Sequence, residues 1–114
     1  MTTATPTLRH PNSGVEQAVA HLDSTWTQTR GAIGRGVGSG LWFDFDSSGL
    51  RTMHMVGVTS PLVAVFIDAG QVSEVARLEP WTGLGTATAT DVVELPPECP
   101  VVEEIQPGDE VVLA

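Results

Sequence analysis

The chain contains no lysine. Its five cationic residues are all arginine, set against 14 Asp and Glu for a net charge of −9 over 114 residues. Binding a phosphate backbone relies on Lys and Arg to neutralise it, so this balance argues against nucleic acid and anionic lipid as partners. Cysteine is almost as scarce. With Cys99 alone, neither an intrachain disulfide nor a multi-cysteine zinc site can form. The thiol lies in Pro96-Pro97-Glu98-Cys99-Pro100, where nothing basic would stabilise a thiolate, and reads as a small packed side chain. Long apolar runs are missing as well: the longest, Leu62 to Ile67, falls far short of the ~20 residues a membrane helix needs. Met1 to His10 is rich in Thr and Pro, without the basic start and apolar stretch of a signal peptide, so the expected location is the cytoplasm.

A hydrophobic fraction of 41% and a mean hydropathy of +0.10 are those of one globular domain of ordinary size. An acidic chain with no lysine and abundant Thr, Val, Ala and Gly resembles a protein of a salt-in halophile, an archaeal one, where salt screens the self-repulsion. Residues 1–14, with Pro6, Pro11 and Gly14, read as a flexible N-terminal arm, and residues 15–114 as a single β-rich domain.

Periodicity places a first strand over Val15 to Leu22, then an Asp23-Ser24 helix cap and a short helix from Thr25 to Ile33. Gly34 to Gly40 is a glycine-rich loop. Leu41 to Phe45 is a strand, turned at Asp46-Ser47-Ser48-Gly49 into a second strand over Arg51 to Val58. The unbroken apolar run Leu62 to Ile67 predicts a strand covered on both faces, and Asp68-Ala69-Gly70 a hairpin into Val72 to Leu78. Pro80 to Thr90 reads as a long surface loop, Asp91 to Leu95 as a strand, Pro100 to Ile105 as a helical turn and Glu110 to Leu113 as the last strand. The fold class is therefore mostly β (α+β): a small curved sheet or β-barrel of about seven strands with two short helices.

The chemistry-bearing residues assemble into no familiar motif. The glycine run follows a helix, the reverse of a phosphate cradle. Asp44 to Gly49 copies half a calcium loop, but Met55 stands where the bidentate Glu belongs. In a strand, Met53 and Met55 share one face and His54 takes the other, so the three cannot ligate one ion. The Ser, His and Asp residues form no triad motif, and no metal site or cofactor is expected. Trp26 and Trp42 read as core, and Trp81 as a half-exposed aromatic platform.

Three stretches carry a family resemblance. Thr27 to Arg35 is similar to a helix-ending Arg-x-x-Gly-Leu-Met-x-Arg pattern with shortened spacing. Met53-His54-Met55 through Pro61-Leu62 to Phe66-Ile67-Asp68 is similar to Phe-Trp-Met-Lys-Asn-Thr, then Pro-Leu-Asp and a run ending Phe-Ile-Asp. Glu79-Pro80-Trp81-Thr82-Gly83, Val92 to Pro96 and Gln106 to Val111 follow in the same order. From Asp23 onward the chain thus resembles the family called domain of unknown function 192. Val56, Gly57 and Val58 replace that family's Lys-Asn-Thr, and Val63 its Asp. The resemblance implies the fold and leaves the activity open.

Two functions are compatible with these residues. The favoured one is a non-catalytic module that binds a small molecule or a protein in a cleft near Arg30, His54, Trp81 and Thr82. The alternative is a small hydrolase or transferase with Arg30 as anion clamp and His54 as base.

Overall fold

The computed structural model describes residues 6–22 and 40–114. Seven strands form one sheet in the order β5-β4-β6-β3-β2-β1-β7. The strands are β1 (Thr7–His10), β2 (Val15–Leu22), β3 (Gly40–His54), β4 (Leu62–Asp68), β5 (Gln71–Leu78), β6 (Leu84–Leu95) and β7 (Val112–Leu113), with helix α1 (Pro100–Glu104) between the last two.

Within the expected arm, Thr7 to His10 is a strand of the sheet and not loose chain. Leu8 and His10 are buried while Arg9 between them is exposed, the period-two pattern of a half-buried strand. β1 pairs antiparallel with β2 on one side and β7 on the other. Pro6 and Pro11 bracket a segment too short for that alternation to stand out in the sequence. β2 and β3 then pair in parallel, an arrangement that needs a crossover connection and not a tight turn. The helix expected over Thr25 to Ile33, and the glycine loop before Gly40, lie outside the described residues. β3 starts on glycine for a steric reason. A Cβ at Gly40 would collide with the Leu95 side chain and come within 2.7 Å of the Glu94 carbonyl.

Two expectations are corrected along β3 and β6. Leu41 to His54 is one long strand and not two strands joined by a turn, and it ends four residues before Val58. Its partner β6 begins at Leu84, so most of the expected Pro80 to Thr90 loop is strand. The Gly-, Thr- and Ala-rich composition hid it, because those residues lie where a ribbon must pack closely. Between the pairs Asp44↔Asp91 and Gly49↔Ala89, β3 has four residues where β6 has only Thr90. This bulge bends the pair. Asp46 sits there at a φ of 66°, its N–H donating to Asp44 Oδ1 at 3.1 Å. Beyond it, Met53, Ala87 and Ala89 turn inward, and Gly85 brings the ribbon against Phe66, Ala76 and Leu78.

β4 is covered on both faces, as its sequence predicts. Val63, Val65 and Ile67 enter one core with Leu8, Val19, Val93 and Leu95, capped by Val101 and Ile105 of α1 and its flank. Leu62, Ala64 and Phe66 enter the other with Leu41, Phe43, Met53, Met55 and Val92. Ala69 and Gly70, both at positive φ, make the two-residue hairpin into β5. The sheet then closes on itself at one end. Gln71 bridges Glu110, the Val72 N–H donates to the Asp109 carbonyl at 2.8 Å, and the Gly108 N–H donates to the Val72 carbonyl at 2.7 Å.

Candidate functional site

Beyond the bulge, the β3–β6 ribbon turns one set of side chains outward: Leu50, Thr52 and His54 on β3, opposite Thr88, Thr86 and Leu84. Their inward neighbours fill the second core, so strand alternation fixes the outward set. Thr52 and Thr86 share a hydroxyl hydrogen bond of 3.0 Å. Leu50 is 73% exposed, Leu84 68%, Val56 66% and Trp81 57%. These are four of the five large exposed hydrophobic side chains among the described residues, and all four lie on this ribbon or its tip.

The tip is tightly bonded. The Met55 N–H donates to the Gly83 carbonyl at 3.1 Å, the Trp81 N–H to the Val58 carbonyl at 3.1 Å, and the Gly83 N–H to the Glu79 carbonyl at 2.9 Å. Gly83 is required: a Cβ there would lie 2.7 Å from the backbone N and O of Glu79 and 2.8 Å from Met55 Cγ. Met55 and Val58 plug the core from the tip while Trp81, at a φ of 65°, faces outward. For a bulky side chain, that backbone conformation costs ~1–3 kcal/mol.

Three of the four residues singled out from the sequence, His54, Trp81 and Thr82, lie at this one end. His54 is exposed and pairs in register with Leu84, and its Nδ1 accepts the Val56 N–H at 3.3 Å. Arg30 lies outside the described residues. Met53 and Met55 are core and His54 faces away from them, as alternation predicts.

Three other polar groups are not apparent in the sequence. Glu94 is fully buried beside Leu41 and Ala64, and its one signal is to be the only charge in Val92-Val93-Glu94-Leu95. His10 and Asp109 meet although 99 residues apart. His10 Nε2 is 2.8 Å from Asp109 Oδ2 and its Nδ1 is 2.7 Å from Ser13 Oγ. The Ser13 hydroxyl also lies 3.4 Å from the His10 carbonyl, and its Oγ accepts the Val15 N–H at 3.2 Å, so Ser13 ties the ring to its own hairpin turn. No triad motif marks these three residues in the sequence; a hairpin turn and the turn that closes the sheet bring them together in space. With His10 only 1% exposed, we read them as a latch between those turns. His10→Ala should lower stability by about 1–3 kcal/mol, the loss of a buried side chain with its two hydrogen bonds, measurable as an earlier urea midpoint. Cys99 is buried as well, and desolvation, with a contribution from Glu98, pushes its thiol pKa up, which keeps it protonated and structural.

A small, mostly-β domain with a bent sheet closed at one end and an apolar-tipped ribbon is the class that this geometry defines. The chain belongs to the DUF192 family, described as "Uncharacterized ACR", whose pattern matches residues 8–113. No curated protein matches it. Two solved structures share the fold. One is a protein of Sinorhizobium meliloti 1021, provisionally described as a transcription regulator, at 18% identity and a TM-score of 0.69 over 99% of this chain and 98% of that one. The other is a protein of unknown function from Novosphingobium aromaticivorans DSM 12444, at 21% identity and a TM-score of 0.72 over 95% and 83%. Among the described residues, no helix is long and apolar enough to cross a membrane.

Proposed function

We propose that this member of the family is a non-catalytic binding module, working in the cytoplasm of a salt-adapted cell, and that it docks a protein partner on the outer face and tip of the β3–β6 ribbon. The observation that carries the reading is Trp81, a large apolar side chain left more than half exposed on a strained backbone beside Val56 and Leu84. Strain of this kind persists where the surrounding structure enforces it, and it clusters at functional positions. Aromatic residues are also enriched at the centres of interfaces. The face bears Leu50, Thr52, His54, Thr86 and Thr88 without a carboxylate, on a chain whose net charge is −9. The provisional description of the Sinorhizobium protein fits a regulatory role, which in so acidic a chain would run through protein contacts and not through DNA. In the alternative reading, a hydrolase or transferase with Arg30 as clamp and His54 as base, His54 would act from this same face.

Trp81→Ala separates an interaction residue from a fold anchor. Less than half of the indole is buried, so the loss should be about 1–2 kcal/mol, well below that of a core aromatic. Trp81→Gly should be the more stable of the two by roughly 1 kcal/mol, because glycine relieves the positive φ. A loss on truncation as large as that of a core phenylalanine would place Trp81 in the fold and remove the basis of the reading.

A further inference from the structure

A second place on the surface offers a hollow of a different chemistry. The barrel seam is bonded through Val111, whose N–H donates to the Gly70 carbonyl at 3.0 Å, and opens beyond it. At that end lies a half-open hollow of about 210 Å³ lined by Trp42, Ile67, Gly70, Asp91, Val111 and Leu113. Five of the six lining residues are uncharged and largely apolar. The sixth, Asp91, is the only charged group in the wall among the described residues.

Asp91 is fixed in place before any ligand arrives. Its Oδ2 accepts the Trp42 Nε1–H at 2.7 Å and its Oδ1 accepts the Thr90 hydroxyl at 2.7 Å. Trp42 is held in turn by His21, stacked on it with ring centroids 4.0 Å apart and an interplanar angle of 20°. Both donors to Asp91 are neutral, so they orient the carboxylate without cancelling its charge. No arginine or histidine pairs with Asp91 among the described residues. A carboxylate accepts about four hydrogen bonds, and donors among the described residues fill two of those positions. Across the strand pair, Asp91 stands in register with another acid, Asp44, itself bonded to His21 at 3.2 Å.

A partly buried carboxylate, locked in place, walled by an indole and aliphatic side chains and without a cationic partner among the described residues, offers little to a strongly hydrated inorganic ion. We infer that this hollow binds a small organic cation, an alkyl- or quaternary ammonium, with Asp91 as the counter-ion and Trp42, Ile67, Val111 and Leu113 as the apolar enclosure. A poorly hydrated ammonium suits such walls, since its methyl groups bury against apolar surface while its charge meets the carboxylate. Nothing in the ribbon reading is needed for this inference, and the two can fail separately.

The test compares choline with its neutral carbon isostere, 3,3-dimethylbutan-1-ol, at constant ionic strength, following the Trp42 indole N–H resonance by NMR. Choline should shift that resonance saturably and bind at least tenfold more tightly than the isostere. Asp91→Asn retains an acceptor for the indole N–H and should abolish the preference for the cation. Equal affinity for the two compounds in the wild-type protein would overturn the inference, and that comparison does not depend on the variant folding. Absence of a saturable shift with choline would overturn it too, as would unchanged discrimination in a folded Asp91→Asn protein.

Discussion

Phe66→Ala should destabilise the domain by about 3–5 kcal/mol, the usual cost of emptying a buried aromatic site. Phe66 is fully buried at the centre of β4, with Val92 beside it on β6 and Glu74 on β5. Gly85 of the bent ribbon brings its backbone down onto the same ring: a Cβ there would stand 3.5 Å from Phe66 Cε1. The ring therefore supports both the central strand and the ribbon that carries the candidate docking face. The cavity has no simple way to collapse, because the ribbon is tied at its tip through Met55 and Gly83. A small domain has only ~5–15 kcal/mol of stability in all, so the variant should be largely unfolded under mild denaturant. A urea titration in molar KCl measures the difference, and a loss below about 1 kcal/mol would mean that β4 does not bear the core.

The second large effect is that of salt. Nine net negative charges are confined to a body of 35 × 32 × 27 Å. Among the described residues, the one Arg–carboxylate ion pair, Arg77–Glu79 at 3.2 Å, has both partners more than half exposed and contributes little. Among those residues the acids therefore repel one another with little compensation from arginine. Raising the salt from 10 mM to 1 M shortens the screening length from about 30 Å to about 3 Å. The electrostatic self-energy of such a body then falls by roughly 5 kcal/mol, part of which the expanded unfolded chain also recovers. The thermal midpoint should climb by about 10 °C or more between dilute buffer and molar KCl. A flat profile would show that the acidic composition is no adaptation to salt.

The strands that were legible in the sequence are those with a strong local signature. Val15 to Leu22 alternates, Leu62 to Ile67 is continuously apolar, and Asp68-Ala69-Gly70 is a hairpin turn by residue type. What was not legible depended on contacts distant in the chain. Leu84 to Thr90 looks like loop because Gly85, Ala87 and Ala89 are small, and they are small because Phe66, Ala76 and Leu78 press against that face of the ribbon. Thr7 to His10 is a strand because β2 and β7 flank it, and β7 arrives from the far end of the chain. The same holds for the candidate sites. Trp81 and His54 could be singled out locally, one by its place after proline in a glycine-rich stretch and the other by alternation between two methionines. The His10–Asp109 latch and the Asp91–Trp42 pair span 99 and 49 residues, and no local pattern marks them.

The proposal that the β3–β6 ribbon docks a protein is tested most directly by photo-crosslinking in living cells, with benzoylphenylalanine in place of Leu84. Leu84 is exposed and stands opposite His54, at the end of the ribbon that carries Trp81. The account predicts a discrete adduct of one size, absent when the same probe replaces exposed Glu74 on β5 and lost when Trp81→Ala is added to the Leu84 probe protein. Adducts of equal yield from both positions, or an adduct indifferent to Trp81→Ala, would contradict it.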